Sequence, residues 1–235
     1  MANRILRTPN DLKNEEIRAL YAGFDLPITA QDCGQKCAAH NPSGKPFCCD
    51  ICEAVPAAYQ SEWDALRTET ELWHLYRGDE CDSQPQPQDS LSSDDLPSSM
   101  IPLACLGPSA CQRENRLLSC RQFPFFPYVT SDYVFAGIAY DWAFEEKCWV
   151  ISNLAQVSDE YRAQFIHTFE QIFALFQDEF ESYAIKSEEM REAFARKKHE
   201  FTILLRDGGL GMVNALNEGI LPINAEQAPS FGAYR

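Results

Sequence analysis

Nothing in this chain approaches the roughly 18 consecutive apolar residues of a membrane span. The N-terminal stretch MANRILRTPNDLKNEEIRAL has no apolar core of the kind a secretory signal carries. These two absences predict a soluble, cytoplasmic protein with no membrane partner. Positive charge is also short: 20 Lys and Arg stand against 35 Asp and Glu, a formal net charge of −15. That balance disfavours nucleic acid or an anionic lipid surface as a partner. The phosphate-binding and hydrolytic signatures G-x-G-x-x-G, Walker A, H-E-x-x-H and G-x-S-x-G are missing. Gly208-Gly209-Leu210-Gly211 matches no phosphate loop and reads as a turn. Histidine is scarce, and His40, His74, His167 and His199 do not pair at metal-ligand spacing. Only His40 lies near the cysteines, where it reads as a loop residue. The abundant carboxylate pairs fall on amphipathic helices and read as solvated faces.

What the sequence has is cysteine. Ten are present, and five fall in the run CGQKCAAHNPSGKPFCCDIC: Cys33, Cys37, Cys48, Cys49 and Cys52. Thiols this dense imply a metal site, a disulfide framework or a redox pair. At 235 residues and 45% hydrophobic, the chain has material for a core of its own and does not need disulfides to fold. In a reducing compartment the metal and redox readings gain weight. The turn-forming Asn41-Pro42-Ser43-Gly44-Lys45-Pro46 lets Cys33 and Cys37 fold back towards Cys48 and Cys49. Adjacent side chains diverge, so Cys48 and Cys49 do not easily serve one metal. One ligates while the other packs or serves a second metal.

The remaining chain predicts an α+β protein of one domain, residues 1–235. Residues 28–152 form a cysteine-rich metal-binding core with a small antiparallel sheet packed by several amphipathic helices. Residues 153–223 add C-terminal helices and a hairpin. Helices are expected over 11–24, 56–77, 158–183 and from Ser187 to about Lys198. The third of these carries Tyr161, Phe165, Phe169, Ile172, Phe173, Phe176 and Phe180 at spacings of three and four, behind a Ser158 N-cap. Strands are expected over 132–140 and 147–152, and a hairpin over 200–223 around Asp207-Gly208-Gly209. The Pro- and Ser-rich acidic run at about 82–100 reads as a disordered insertion with Cys81 as a free thiol at its edge. Cys148 reads as a buried structural cysteine, and the tail from Asn224 as disordered.

A second cysteine group follows the insertion: Cys105, Cys111 and Cys120. The run Arg116-Leu117-Leu118-Ser119-Cys120-Arg121-Gln122-Phe123-Pro124 closes it. Pro124 and Pro127 between aromatics imply an extended apolar wall. The combined pattern resembles the YkgJ-type cysteine-cluster family of zinc- or iron-chelating domain proteins. That family carries C-x-x-C-x-x-C-C and then R-P-x-x-C-R-x-F-P. Here Leu117 stands for the proline, and ten residues separate Cys37 from Cys48. The departure leaves open which of Cys48 and Cys49 ligates. The resemblance covers roughly residues 30–150 and extends distantly to a flagellin lysine N-methylase with an iron–sulfur cluster.

The expected ligands are therefore drawn from Cys33, Cys37, Cys48, Cys49, Cys111 and Cys120. Arg121 is expected to face the bound cofactor and offset thiolate charge. A [4Fe–4S] cluster is favoured over zinc, in a structural or redox role. The alternatives are a cluster-dependent protein-modifying enzyme and a metal-free thiol or disulfide protein.

Overall fold

The computed structural model describes residues 7–81 and 99–235. The chain is mixed α+β, with several helices around antiparallel sheets. Helix α1 spans Asn14–Gly23, α2 Cys33–Ala38 and α3 Gln60–Glu69. Strands β1 (Ala57–Tyr59), β2 (Trp73–Leu75) and β3 (Met100–Cys105) form a three-stranded antiparallel sheet in the order β1-β3-β2. Helix α4 (Leu118–Gln122) leads through a cis Phe123–Pro124 bond into β4 (Phe125–Val129) and β5 (Phe135–Tyr140). Helices α5 (Asp159–Leu175) and α6 (Gln177–Lys197) follow, then β6 (Phe201–Leu205), β7 (Leu210–Val213) and β8 (Ile220–Ile223). The last five strands make an antiparallel sheet in the order β4-β5-β6-β7-β8. Among the described residues no helix is long and apolar enough to cross a membrane.

The physical cause of α5 is plain in its residues. The Ser158 hydroxyl accepts from the Tyr161 backbone N–H at 3.2 Å, and Asp159 and Glu160 sit at the positive end of the helix dipole. Tyr161, Phe165, Phe169 and Ile172 then fall on one buried face. Phe24 meets this face edge-on at Phe165, with ring centroids 5.7 Å apart. One hydrophobic cluster runs from Leu12 on the N-terminal side to Val213 in β7.

The expected continuous helix over 158–183 is interrupted at Phe176, which is extended (φ −132°, ψ 102°) and almost fully buried. The break turns α6 back across β4, an edge strand of its sheet. There the Val129 N–H donates to the Ser187 hydroxyl at 2.9 Å, and Arg191 donates to the Val129 carbonyl at 2.9 Å. Helix α6 thus supplies partners to an edge that would otherwise present open backbone. At the far edge, β8 contains Pro222.

Several other expectations are corrected. Residues 56–77 are not one helix: Ala57–Tyr59 and Trp73–Leu75 pair with β3 on either side of α3. Residues 147–152 are not a strand: Cys148 lies in a turn, and a 3-10 helix follows over Ile151–Gln156. Most of the insertion expected at 82–100 lies outside the described residues. At its end, however, Gln60 N–H donates to the Ser99 carbonyl at 3.2 Å and Met100 opens β3. Cys81 is not a free thiol, because it is disulfide-bonded to Cys52. The tail from Asn224 is ordered. Phe231 N–H donates to the Ser152 hydroxyl at 2.8 Å, and the Tyr234 hydroxyl donates to the Lys147 carbonyl at 3.0 Å.

Candidate functional site

Asp32 caps α2 by accepting from Gly34 N–H at 2.9 Å and Gln35 N–H at 3.3 Å. The short helix places Cys33 and Cys37 one turn apart on the same face. The following loop is held by a polar staple around the buried Asp50. The Ser43 hydroxyl donates to Asp50 at 2.6 Å and the Asn41 amide at 3.0 Å, while Cys52 N–H donates at 3.2 Å. Burial opposes ionisation of Asp50, but these three donors outweigh it and hold its carboxyl below the usual range. The loop returns the chain to a 3-10 turn over Phe47–Cys49, where the Cys48 and Cys49 sulfurs lie 3.9 Å apart.

Cys105 ends β3. Gly107, at φ +93°, turns the chain into Pro108 and on to Cys111. Cys120 sits in α4, and Cys148 follows the 3-10 turn Trp142–Phe144. Eight cysteines are free: Cys33, Cys37, Cys48, Cys49, Cys105, Cys111, Cys120 and Cys148. Several of them interact electrostatically, and burial dominates the shifts of most. Burial, then the Cys37, Asp32 and Cys49 charges, pushes the Cys33 thiol up to about 11. Burial, then Cys33, pushes Cys148 up to about 12. Burial raises Cys37, Cys105 and Cys120 as well. Cys49 is the exception. The hydrogen bond from Cys48 favours its thiolate and draws it down to about 7 against burial, with help from Arg116. Cys48 is correspondingly raised, although its residue reaches the surface.

All six thiols expected as ligands thus lie in this region, joined by Cys105 and Cys148. The sequence groups Cys105 with Cys111 and Cys120 without making it an expected ligand, and Cys148, placed in an expected strand, reads as structural. The positive charge at the thiols is Arg116. Its Nε–H donates to Cys111 Sγ at 3.1 Å. Burial disfavours its charge, and the Cys111 contact with the Cys111, Cys49 and Cys120 charges overcomes that penalty.

Arg121, expected to face the cofactor, is committed elsewhere. Its guanidinium donates to the carbonyls of Arg116 (3.0 Å), Phe24 (2.8 Å) and Arg113 (2.9 Å), and to Asp25 Oδ1 at 2.6 Å. It also lies 4.6 Å from the centroid of the Tyr21 ring. Its side chain is 4% exposed, so these contacts consume its donors in the core rather than at the thiols. His40 packs edge-on against Tyr234, with centroids 5.2 Å apart.

Among the described residues, no group of three or more Cys, His, Asp or Glu side chains is arranged to hold a metal ion as it stands. The donor set itself suits a soft metal: eight thiols, with a guanidinium to offset thiolate charge. Two surface cavities, one around Phe135, Phe173 and Phe180 and one around Asp159 and Asn224, have no cysteine in their walls. No family model, curated protein or solved structure matches the chain.

Proposed function

We propose that this chain is a metal-binding protein whose thiols coordinate a [4Fe–4S] cluster or zinc, the cluster being favoured, in a structural or redox role. The observation that carries the reading is the gathering of eight free thiols from separate segments, with the half-buried Arg116 donating to one of them. A disulfide framework accounts for only Cys52 and Cys81. Burial holds most of these thiols protonated, and thiols supplied by separate segments are donors that a soft metal takes as it displaces those protons. Metal binding releases their protons and closes the shell, so side chains that do not yet form one can do so on loading. Here Arg116 offsets thiolate charge, and the Asn41–Asp50 staple holds Cys48 and Cys49 against α2. The resemblance to the YkgJ-type family points the same way.

The test is anaerobic purification of the full chain, with visible absorbance, elemental analysis and acid-labile sulfide. Iron with matching sulfide establishes the cluster. Zinc in a colourless protein establishes the zinc form. A metal-free preparation whose thiols titrate as free or as oxidised pairs overturns the reading.

A further inference from the structure

Among the described residues three arginines are buried: Arg121, Arg162 and Arg191. Two of them direct their donors to backbone carbonyls. Arg121 does so as described above, and Arg191 does so at Val129 while pairing with Glu218 at 3.3 Å. Arg162 does not. Its side chain is 9% exposed, and its Nε has no hydrogen-bond partner among the described residues. Its ion pair is to Asp159 Oδ1 at 3.0 Å, and that carboxylate stands at the surface with its side chain 88% exposed. Burying a guanidinium whose donors are not met is unfavourable.

Arg162 forms part of the wall of a cavity of about 570 Å³, within the range of small-molecule sites. Ser158 and Asp159 bring the start of α5 to it. The first N–H groups of a helix have no partner within the helix. Here the Ser158 hydroxyl takes that of Tyr161, and those of Asp159 and Glu160 stay at the positive end of the helix. The β6–β7 turn contributes Gly209, and the residue after β8 is Asn224, also in the wall. Gly208, at φ +110°, brings the turn within van der Waals reach of the guanidinium: a Cβ built there would lie 3.4 Å from Arg162 Nη1. Gln156 and Asn224 add exposed amides to the rim.

We propose that this cavity is a phosphoryl-anion site, in which Arg162 and the N-terminus of α5 hold a phosphate group and Asp159 is the carboxylate that the phosphate displaces. A guanidinium presents a planar fork that matches two phosphate oxygens. A helix N-terminus adds N–H donors and a positive potential. Asp159 already sets one oxyanion against Arg162, and its exposure lets it swing into solvent at little cost. The cavity is larger than a phosphate group, and the amides of Gln156 and Asn224 can donate to and accept from hydroxyls beside it. Free phosphate and a small hydroxylated phosphate ester share this chemistry. The carboxylates of Asp159 and Glu160 oppose a dianion, so the affinity is modest. No cysteine lines the cavity, and the inference is independent of the metal-binding reading.

Isothermal titration calorimetry of the full chain with inorganic phosphate, glycerol 3-phosphate and acetate is the test. Saturable binding of inorganic phosphate or glycerol 3-phosphate is expected, with acetate weaker by about tenfold or more. Tighter binding of glycerol 3-phosphate supports the site with an ester as its ligand, and tighter binding of inorganic phosphate supports it with the free anion. Arg162→Gln should weaken binding by about 10–100-fold. Asp159→Asn, at an exposed position, should tighten it by about fivefold or more. Far-UV circular dichroism establishes that each variant is folded, and Asp159→Asn decides where Arg162→Gln fails to fold. The proposal is overturned by a wild type that binds neither phosphate probe, or by acetate binding as tightly as phosphate. A folded Arg162→Gln protein with wild-type affinity overturns it too, as does a folded Asp159→Asn protein that binds no more tightly than the wild type.

Discussion

The Nε–H of Arg121 donates to the carbonyl oxygen of Arg116 at 3.0 Å. The arginine that is turned into the core therefore fixes the backbone of the arginine that faces the thiols. The two positions have separable consequences. Arg116→Gln removes the charge beside Cys111 and keeps the chain's packing. We expect metal affinity to fall by about 10–100-fold, read by competition with a chelator, with little change in the urea midpoint. Arg121→Gln leaves buried carbonyls unpaired and should cost on the order of 3 kcal/mol or more in urea unfolding. A stable Arg121→Gln protein that has lost its metal would reverse these assignments.

Glu62 predicts a pH dependence. This buried carboxyl accepts from the Tyr21 hydroxyl at 2.8 Å and from the Tyr59 and Leu118 N–H groups at 3.0 Å each. Burial nevertheless dominates and raises it above the ordinary carboxyl value. As pH rises past that ordinary value the unfolded chain loses this proton while the folded chain keeps it. Its contribution to stability is thus complete below the unfolded value and lost as pH rises through the folded one. Glu62→Gln should flatten the wild-type decline by up to about 1.4 kcal/mol per pH unit in that window. Urea unfolding from weakly acidic to neutral pH measures it, and parallel profiles for the two proteins would count against the assignment.

The Cys52–Cys81 disulfide closes a loop of 29 positions that contains α3 and β2. Chain entropy assigns a loop of this size about 3–4 kcal/mol. Cys81→Ser should lose stability of that order while keeping its full metal content, because Cys52 and Cys81 lie outside the proposed ligand set. Loss of metal in a folded Cys81→Ser protein would place Cys52 or Cys81 among the ligands.

Asn41→Ala breaks the staple that returns the chain towards α2. Its amide bonds the Lys45 carbonyl at 2.9 Å and Asp50 at 3.0 Å, both inside the loop. A loss of about 1–3 kcal/mol is expected, with faster release of metal to a chelator as Cys48 and Cys49 loosen. Unchanged release would mean that the 3-10 turn alone positions the vicinal pair.

The elements legible in the sequence are those whose cause is local. Tyr161, Phe165, Phe169 and Ile172 mark α5, and the turn Asp207-Gly208-Gly209 marks the β6–β7 hairpin. The misread segments depend on distant partners. Ala57–Tyr59 and Trp73–Leu75 are strands because β3 pairs with both, and β3 arrives after a long polar insertion. The break at Phe176 carries no Gly or Pro and follows from burying that ring while laying α6 along β4. At the thiols, the dense run Cys33–Cys49 was readable, and so was Cys120 through its flanking motif. Cys105 is grouped with Cys111 and Cys120 by the sequence itself, whereas Cys148 joins only by tertiary packing. Arg121 drew attention by adjacency to Cys120, whereas Arg116 is the residue whose side chain reaches a sulfur. In the tail, Phe231 and Tyr234 were the missed signal: two aromatics in a polar stretch anchor it to Ser152 and Lys147.

The placement of α6 along β4 also bears on self-association. A sheet recruits foreign strands through an unbroken row of backbone donors and acceptors. Ser187 and Arg191 occupy that row at Val129, and at the opposite margin Pro222 removes a donor from β8. Neither margin of the five strands offers a continuous backbone template for another chain.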